Sequence, residues 1–284
     1  MAPIVTVALP VLDGGPLLGE VLAAVRGQEV ERPMELLVID SGSSDGSPAL
    51  ARRHGARVVE IPRAEFGHGR TRNRLMELSE GDHVAFLTQD ATPAHPRWLA
   101  ALLDGFGADV ALVFGPQRPR PDASPMVRRE LTELFDRIEG DGPFFSSANG
   151  AVARWAWERV PFRDVAYGED HALAADMRAA GLAKAYAPDA EVIHSHDLPP
   201  LRAFRRYFDD FRALARADGL REPLTPRSLA ARVRNDVAAD RAFMRREGLE
   251  VQTLRSFGHH VARALGRGLG TNVDRLPAWG RRGR

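Results

Sequence analysis

The sequence contains no cysteine, a single lysine and no long apolar run. Without cysteine the chain can form neither disulfides nor thiolate metal sites. No segment approaches the ~18 apolar residues that a membrane-spanning helix needs, and no signal peptide pattern opens the chain. We therefore expect a cytoplasmic protein that touches the inner face of the cell membrane at most peripherally.

Charge is distributed unevenly along the chain. Residues 201–284 carry 19 arginines against 9 acidic residues, whereas residues 1–200 carry 20 basic and 29 acidic groups. A basic tail of this kind is either a solvated helical surface or a face that lies against anionic lipid or another polyanion. We predict a first domain of residues 1–198 and a basic, mainly helical extension of residues 199–284.

Apolar strands alternate with amphipathic helices in the first half of the chain. The apolar runs predict strands at residues 4–9, 35–39, 57–61, 83–91 and 110–114, with helices between them. Strand–helix–strand units of this length imply parallel pairing with right-handed crossovers. Further helices are predicted at 126–139 and 169–180, and a short strand at 190–193. The sequence therefore predicts an α/β fold.

The strand at residues 83–91 ends on a lone carboxylate, Asp90, preceded by Gln89. In open α/β sheets ligands bind just outside the carboxyl ends of the strands. A carboxylate oxygen there suits Mg²⁺ or Mn²⁺, especially when substrate phosphates complete the coordination shell. The alternative role, capping of the following helix, fits less well because Thr92 lies nearer to that helix.

Two further polar loops follow predicted strands. Asp40 opens the turn at residues 40–47, where its carboxylate would bind a nucleobase or ribose, or form an Asx-turn. In the segment 66–73, glycines before a helix permit close backbone approach, and helix N-termini favour anions. Arg72, with Arg70, could bind a diphosphate or be a solvated loop residue. Arg72 also occupies the third glycine position of a dinucleotide fingerprint, which excludes that motif.

Two more clusters of ionisable residues lie later in the chain. His194 and His196 follow a predicted strand and are either metal ligands or a structural pair. Glu169 and Asp170 begin a predicted helix, where acidic residues also serve as caps and complement the helix dipole. The dipole keeps such a carboxylate ionised, and an ionised carboxylate can act as a general base.

Taken in order, these motifs resemble the family 2 glycosyltransferases of the GT-A fold. The resemblance spans about residues 3–198 and includes 5–13, 38–46, 69–73, the Asp90 strand and Glu169-Asp170. Residues 66–73, 86–91 and 194–196 are most similar to bacterial rhamnosyltransferases, which use dTDP-L-rhamnose to build cell-surface polysaccharide. The resemblance implies a Rossmann-like mixed sheet flanked by helices, followed by a helical extension.

The resemblance also implies roles for individual residues. Asp170 would be the general base of an inverting transfer of a sugar, L-rhamnose, to a hydroxyl of a saccharide or a lipid-linked glycan. Mg²⁺ or Mn²⁺ would be held by Asp90 and His194, with His196 as the alternative. The residues implied to bind the nucleotide sugar are Pro10, Leu12, Asp40, Gly69, Arg72, Gln89 and Asp90. Those implied to bind the acceptor are Glu169, Trp155 and Trp157.

Two other classes of function are compatible with parts of the sequence. A nucleotidyltransferase should carry a basic, glycine-rich loop after its first strand, but residues 10–16 contain no basic residue. A non-catalytic sugar-nucleotide-binding or scaffold protein is suggested by Gln89, which replaces the second carboxylate usual in the family's metal motif. The rhamnosyltransferase-like members share this Gln-Asp pairing, so we interpret it as a subfamily trait.

The expected partners are a nucleotide-sugar donor and a glycan or lipid-linked acceptor, and no nucleic acid. In the extension, apolar residues at helical spacing form two stripes, which are residues 204, 207, 208, 211 and 214, and residues 257, 261, 265 and 269. The second stripe is flanked by Arg263 and Arg267. The extension is therefore expected to pack on the first domain, to form a homodimer or to contact a membrane surface.

Overall fold

A computed structural model describes residues 4–138, 142 and 144–275. The chain divides into two compact units, the first built from residues 1–120 and 137–195 and the second from residues 121–136 and 196–284. The segment 121–136 therefore groups with the C-terminal helices, whereas the sequence placed it in the first domain. The ion pair between Arg129 and Asp240 is one of the contacts that tie it there.

Seven strands form the main sheet of the first unit, in the order β3-β2-β1-β4-β8-β6-β9. A second sheet has the order β5-β10-β7. The strands are β1 (Val5–Val11), β2 (Met34–Asp40), β3 (Arg57–Glu60), β4 (His83–Leu87), β5 (Thr92–Pro93), β6 (Val110–Phe114), β7 (Gln117–Arg118), β8 (Asn149–Ala153), β9 (Ala183–Tyr186) and β10 (Val192–Ile193). Only β8 is antiparallel to its neighbours in the main sheet, so the sheet is mixed.

Helices cover both faces of the main sheet. They are α1 (Gly15–Arg26), α2 (Ser47–Arg53), α3 (His68–Leu78), α4 (Trp98–Asp104), α6 (Arg154–Arg159) and α7 (Glu169–Ala179). Alternate residues of a strand point to opposite faces. Leu9 of β1 accordingly belongs to the core layer that contains Leu22 of α1, and Ala8 belongs to the layer that contains Leu75 of α3. The fold is the predicted α/β sheet flanked by helices.

The second unit is helical in its described part. It contains α5 (Pro125–Asp136), α8 (Pro200–Asp218), α9 (Pro226–Arg246) and α10 (Thr253–Thr271). Helices α8 and α10 cross closely, since a Cβ at Gly266 would lie 2.8 Å from the carbonyl oxygen of Phe204. The aromatic stripe of α8 therefore packs on α10 within the same unit. Among the described residues, no helix is both long and apolar enough to cross a membrane.

Candidate functional site

Several loops meet at the carboxyl edge of the main sheet. Parallel strands β1, β2 and β4 end there at Val11, Asp40 and Leu87, and the antiparallel β8 begins there at Asn149. Sheets of this kind bind ligands at this edge. The hydrogen bonds between the loops determine which polar atoms face one another.

Gln89 joins the loop after β4 to the loop after β1. Its Oε1 accepts a hydrogen bond from the Leu12 amide at 2.8 Å, and its Nε2 donates to the Leu12 carbonyl at 3.0 Å. Both ends of the Gln89 amide are thus engaged with one backbone residue. A carboxylate in this place could accept from the Leu12 amide but could not donate to its carbonyl. Gln89 therefore fixes the position of Leu12 beside Asp90.

The Asp40 loop is organised around its own carboxylate. Oδ1 of Asp40 accepts from the amides of Gly42 and Ser43 at 3.0 and 2.9 Å, and Oδ2 accepts from the Ser43 hydroxyl at 2.5 Å. This is the Asx-turn that the sequence left open, and Asp40 is only 1% exposed. Ser43 also accepts from the amide of Asp13, which joins this loop to the one after β1.

Asp45 and Ser47 complete the contact between these two loops. The amide of Gly14 donates to Ser47 Oγ at 2.9 Å, and the amide of Gly15 donates to Asp45 Oδ2 at 2.8 Å. Hydrogen bonds from the Ser47 hydroxyl and the Gly15 amide lower the pKa of Asp45. The turn-forming residue types of Asp13, Ser43, Asp45 and Ser47 predict a loop but do not reveal these contacts.

Asp90 and His194 face each other across this edge. His194 Nε2 lies 3.5 Å from Asp90 Oδ1, and His194 is only 7% exposed. Gln117 Oε1 lies 2.8 Å from His194 Nδ1, while Gln117 Nε2 donates to the Ser146 hydroxyl. This arrangement assigns the ring proton to Nδ1 and directs the Nε2 lone pair toward Asp90.

The donor set of this pair fits a divalent cation. Two ligands of one ion, each bonded at about 2.0–2.2 Å, lie about 3–3.5 Å apart. A carboxylate oxygen with an imidazole nitrogen suits Mn²⁺ better than Mg²⁺, which prefers oxygen alone. Gln117 supplies the outer hydrogen bond that usually orients a metal-binding histidine. Gln117 was not predicted from the sequence, because nothing in its local pattern distinguishes it. His196, the alternative ligand, is exposed and belongs to the second unit.

Arg72 and Glu169 form a buried ion pair. Arg72 Nη1 lies 2.8 Å from Glu169 Oε1, and each side chain is 6% exposed. In the structure Arg72 therefore neutralises Glu169, whereas the sequence assigned Arg72 to the donor phosphates and Glu169 to the acceptor. The pair joins α3 to the first residue of α7. It thereby fixes the backbone beside Asp170.

Asp170 is half-buried at the N-terminus of α7. Its Oδ2 accepts from the amide of Ser147 at 3.3 Å, and its Oδ1 accepts from the amide of His171 at 2.8 Å. Ser147 belongs to the loop that enters β8 at the carboxyl edge. These contacts place the Asp170 carboxylate at the same edge as Asp90, as a general base at this site requires.

In the structure, the lack of a side chain at Gly69 allows another part of the chain to approach closely. A Cβ at Gly69 would lie 1.9 Å from the carbonyl oxygen of Arg163. The space that a side chain would occupy at Gly69 is therefore filled by protein backbone. Gly69 lets α3 and the segment before α7 approach each other.

Trp155 and Trp157 are not brought to the carboxyl edge. They lie on α6, which follows β8, and the last residue of β8, Ala153, pairs with His83 at the opposite edge of the sheet. Trp157 Nε1 donates to Asn73 Oδ1 at 2.8 Å, so this ring anchors α6 to α3. The structure offers no support for an acceptor platform at these two residues, and we do not include them in the site.

Comparisons with known proteins agree with this architecture. The sequence profile described as Glycosyl transferase family 2 matches residues 6–157. The O-antigen chain rhamnosyltransferase WbaN of Salmonella anatum is 34% identical over 199 residues, which are 64% of this chain and 63% of WbaN. The O-antigen chain rhamnosyltransferase RfbN of Salmonella typhimurium is 33% identical over 72% of this chain and 70% of RfbN. The matched region is thus just under two thirds of WbaN.

Solved structures share the fold. The mannosyltransferase PcManGT from Pyrobaculum calidifontis, in complex with GDP-Man and Mn²⁺, superposes with a TM-score of 0.65 at 19% identity, covering 95% of this chain and 88% of that one. Glucosyl-3-phosphoglycerate synthase from Mycobacterium tuberculosis, in complex with Mn²⁺, UDP-glucose and glycerol 3-phosphate, superposes with a TM-score of 0.56 at 23% identity. It covers 78% of this chain and 82% of that one.

Proposed function

The chain belongs to glycosyltransferase family 2, and on that premise we propose that it transfers L-rhamnose from dTDP-L-rhamnose to a hydroxyl of a saccharide or lipid-linked glycan. The observation that carries the proposal is the pair formed by Asp90 and His194 at the carboxyl edge, with Asp170 at the same edge. The similarity to two O-antigen rhamnosyltransferases supports the choice of sugar.

The reaction is a single displacement with inversion at the anomeric carbon. The acceptor oxygen forms a bond to the anomeric carbon, the bond from that carbon to the diphosphate oxygen breaks, and its electron pair leaves with dTDP. Asp170 takes the proton of the attacking hydroxyl, for which position matters more than a raised pKa. Retention would require a nucleophile on the other face of the sugar. The other carboxylates described at this edge have different tasks, because Asp40 and Asp45 are hydrogen-bonded within their loops and Asp90 would hold the cation.

Asp90 and His194 would hold the divalent cation, with Mn²⁺ favoured by their mixed oxygen and nitrogen donors. When bound, this ion supplies positive charge that stabilises the leaving diphosphate. Gln117 keeps His194 in the tautomer whose Nε2 is a ligand. The Asp40 loop and Leu12, held by Ser43 and Gln89, form the wall where the nucleobase would bind.

The structure gives a reason to reject nucleotidyl transfer. Such an enzyme would bind phosphates with the backbone amides of the loop after β1. Here the amides of residues 12–15 each donate to a side chain of a neighbouring loop, namely Gln89, Ser43, Ser47 and Asp45. Those amides are consequently not available to a phosphate.

The decisive experiment measures transfer and donor hydrolysis by the purified full chain. With dTDP-L-rhamnose and Mn²⁺ we expect slow release of dTDP, faster release when an acceptor glycan is added, and loss of both with EDTA. Asp170→Asn should reduce transfer at least a hundredfold while leaving donor binding intact. Asp109→Asn, at the start of β6 on the opposite edge, is the matched control.

Two outcomes would contradict this assignment. Transfer by Asp170→Asn at the rate of Asp109→Asn would remove Asp170 as the base. Binding of dTDP-L-rhamnose with no release of dTDP under any condition would instead identify a non-catalytic sugar-nucleotide-binding protein.

The surface of the second unit carries a proposal about the location of the protein in the cell. We propose that the second unit lies on the inner face of the cell membrane, beside a lipid-linked acceptor. An apolar groove between α9 and α10 includes Val233, Val261 and Leu265, and Leu254 and Phe257 of α10 are 85% and 52% exposed. Anionic lipid is the occupant that matches this surface, because exposed arginines of α9 border it.

The basic residues of this surface differ from those expected from the sequence. Arg263 and Arg267 flank the apolar stripe of α10, but they pair with Asp236 and Glu222 inside the unit. The exposed Arg234 and Arg241, seven residues apart on α9, line the groove instead. Two turns of helix separate them, so both lie on one face.

A further inference from the structure

A second group of ligating side chains lies within the helical unit, apart from the proposed transfer site. Glu130 of α5 and the adjacent His259 and His260 of α10 each offer one ligating atom, and these atoms all lie within 4.8 Å of one another. His260 is fully buried and His259 is 9% exposed. We propose that these three residues bind a transition-metal ion of the Zn²⁺ class.

The separations between the ligating atoms match those around a bound metal ion. Without the ion, His259 Nε2 is within hydrogen-bond distance of Glu130 Oε1 and of the Tyr207 hydroxyl, each at 3.2 Å, so binding of the ion would displace the proton on this nitrogen. His259 Nε2 lies 3.2 Å and His260 Nδ1 lies 3.6 Å from Glu130 Oε1. Ligands bonded to a tetrahedral ion at about 2.0–2.1 Å lie about 3.3 Å apart. A proton on His260 Nδ1 would instead draw an oxygen acceptor to about 2.7–3.2 Å.

His260 is oriented as metal-binding histidines are. Its Nε2 lies 2.7 Å from Asp240 Oδ2, and Asp240 is itself fixed by Arg129 and by the Ser256 hydroxyl. With the proton on Nε2, Nδ1 carries a lone pair, and this buried atom has no hydrogen-bond partner among the described residues. A carboxylate behind the ring fixes the tautomer and makes the other nitrogen a better ligand.

Glu130 is prepared in a similar way. Tyr207 donates its hydroxyl proton to Glu130 Oε2 at 2.8 Å, which leaves Oε1 facing the two imidazoles. Arg263 Nε lies 3.3 Å from Glu130 Oε1, and this positive charge favours the ionised carboxylate that a metal ion needs as a ligand.

The charges around the centre leave room for a dication. Four carboxylates, those of Glu130, Glu133, Asp236 and Asp240, face the two guanidinium groups of Arg129 and Arg263. With both imidazoles neutral this is an excess of two negative charges. Arg263 lies 3.3 Å from Glu130 Oε1, but it also pairs with Asp236, which offsets its repulsion of a cation.

The inferred ion would join α5 to α10 and stabilise the helical unit. Asp236 Oδ2, 3.6 Å from His260 Nδ1, is the nearest candidate for a fourth ligand. Imidazole and carboxylate ligands select Zn²⁺ and its neighbours rather than Ca²⁺ or Mg²⁺. The site differs in position, and in having a second buried imidazole, from the pair formed by Asp90 and His194.

Cobalt substitution of the full chain tests the site. We expect one equivalent of Co²⁺ to give the visible absorption of a four- or five-coordinate ion in the wild type and in His194→Ala, which lacks the other histidine ligand. Glu130→Gln and His259→Ala, each made in the His194→Ala chain, should lose this absorption while retaining their helical circular dichroism. Zn²⁺ should raise the Tm of the wild type and of His194→Ala, but not of these two variants.

A measurement on a chain whose helical unit is unaltered covers the case in which the Glu130 and His259 variants do not fold. X-ray absorption of the Zn²⁺-loaded His194→Ala chain should show two imidazole nitrogens and at least one oxygen at about 2.0–2.2 Å. The proposal is overturned if no Co²⁺ absorption appears in the wild type, or if Glu130→Gln in the His194→Ala chain retains it. Nitrogen NMR that shows a doubly protonated His260 in the presence of Zn²⁺ would also overturn it.

Discussion

At the scale of single residues, the candidate site is held by polar side chains that bind backbone. Gln89 uses its whole amide on Leu12, and Asp40 uses both of its carboxylate oxygens on its own loop. These contacts fix the shape of the pocket before any ligand arrives. Pre-formed sites lower the entropy cost of binding. The replacement of a carboxylate by Gln89 is therefore explained as a gain in loop order.

The ion pair between Arg72 and Glu169 supplies a test at this scale. Loss of one partner leaves the charge of the other buried and unpaired. Arg72→Met and Glu169→Gln should therefore each lower the free energy of unfolding by about 3–5 kcal/mol. The double variant Arg72→Met/Glu169→Leu should recover most of that loss. Urea denaturation of the purified proteins measures these differences.

The exposed ion pair between Arg74 and Glu77 on the same helix gives the matched control. Both of its side chains are at least half exposed, so Arg74→Met should cost less than about 1 kcal/mol. Equal losses for Arg72→Met and Arg74→Met would show that the Arg72 pair is not buried in solution. Recovered stability without recovered transfer in the double variant would identify the pair as a positioning device for Asp170.

At the scale of elements, the sequence predicted the strands that carry continuous apolar runs. β1, β2, β3, β4 and β6 all lie where those runs are. β1 and β4 are buried on both faces and need no polar alternation, whereas β3 is an edge strand with exposed ends. The run at residues 83–91 extends past β4, which ends at Leu87. Gln89 and Asp90 lie in the turn that follows.

Two strands of the main sheet were not predicted from sequence. β8 has the sequence Asn-Gly-Ala-Val-Ala, whose small residues give neither a β-branched run nor an alternating pattern. It is fully buried because two neighbouring strands and the helices enclose it. β9 is short and only partly buried. Tertiary contacts therefore determine these strands, and local pattern does not.

The same distinction between local sequence pattern and tertiary contact applies to the candidate site. The acidic residues and histidines at strand ends could be found from motifs, whereas their partners could not. Gln117 binds His194 from a strand of two residues, and the pairing of Arg72 with Glu169 joins positions 97 residues apart in the sequence. Only the fold brings such partners together.

Gly69 provides a test of how closely α3 packs on the segment before α7. Gly69→Ala would place a methyl group 1.9 Å from the Arg163 carbonyl oxygen, so backbone must move. We expect a loss of about 1–3 kcal/mol in the free energy of unfolding. Gly258→Ala on α10 has nothing within 4 Å of the new methyl group and should be neutral or stabilising by up to about 1 kcal/mol. Thermal denaturation compares the two, and equal effects would contradict the packing argument.

At the scale of the whole molecule, charge and apolar exposure are concentrated in the C-terminal part. Residues 201–284 have 10 more basic than acidic groups, whereas residues 1–200 have 9 more acidic than basic groups. Several arginines of the basic part are neutralised by ion pairs within the helical unit. The groove between α9 and α10, with the exposed Arg234 and Arg241, combines apolar lining with basic residues that remain available to a partner.

Binding to vesicles tests whether this surface meets a membrane. The full chain should co-sediment with vesicles that contain phosphatidylglycerol and not with neutral vesicles. Binding should weaken as the salt concentration rises from about 0.05 to about 0.5 M, because salt screens exposed charge. Phe257→Ser should weaken binding through lost apolar contact, and Arg234→Gln/Arg241→Gln should weaken it through lost charge.

Leu134→Ser, which alters a residue of α5 with 43% exposure, is the control and should bind as the wild type does. If all variants bind equally, the groove is not the membrane surface. If Phe257→Ser instead converts a dimer to a monomer in sedimentation, the groove is an interface between two copies of the chain.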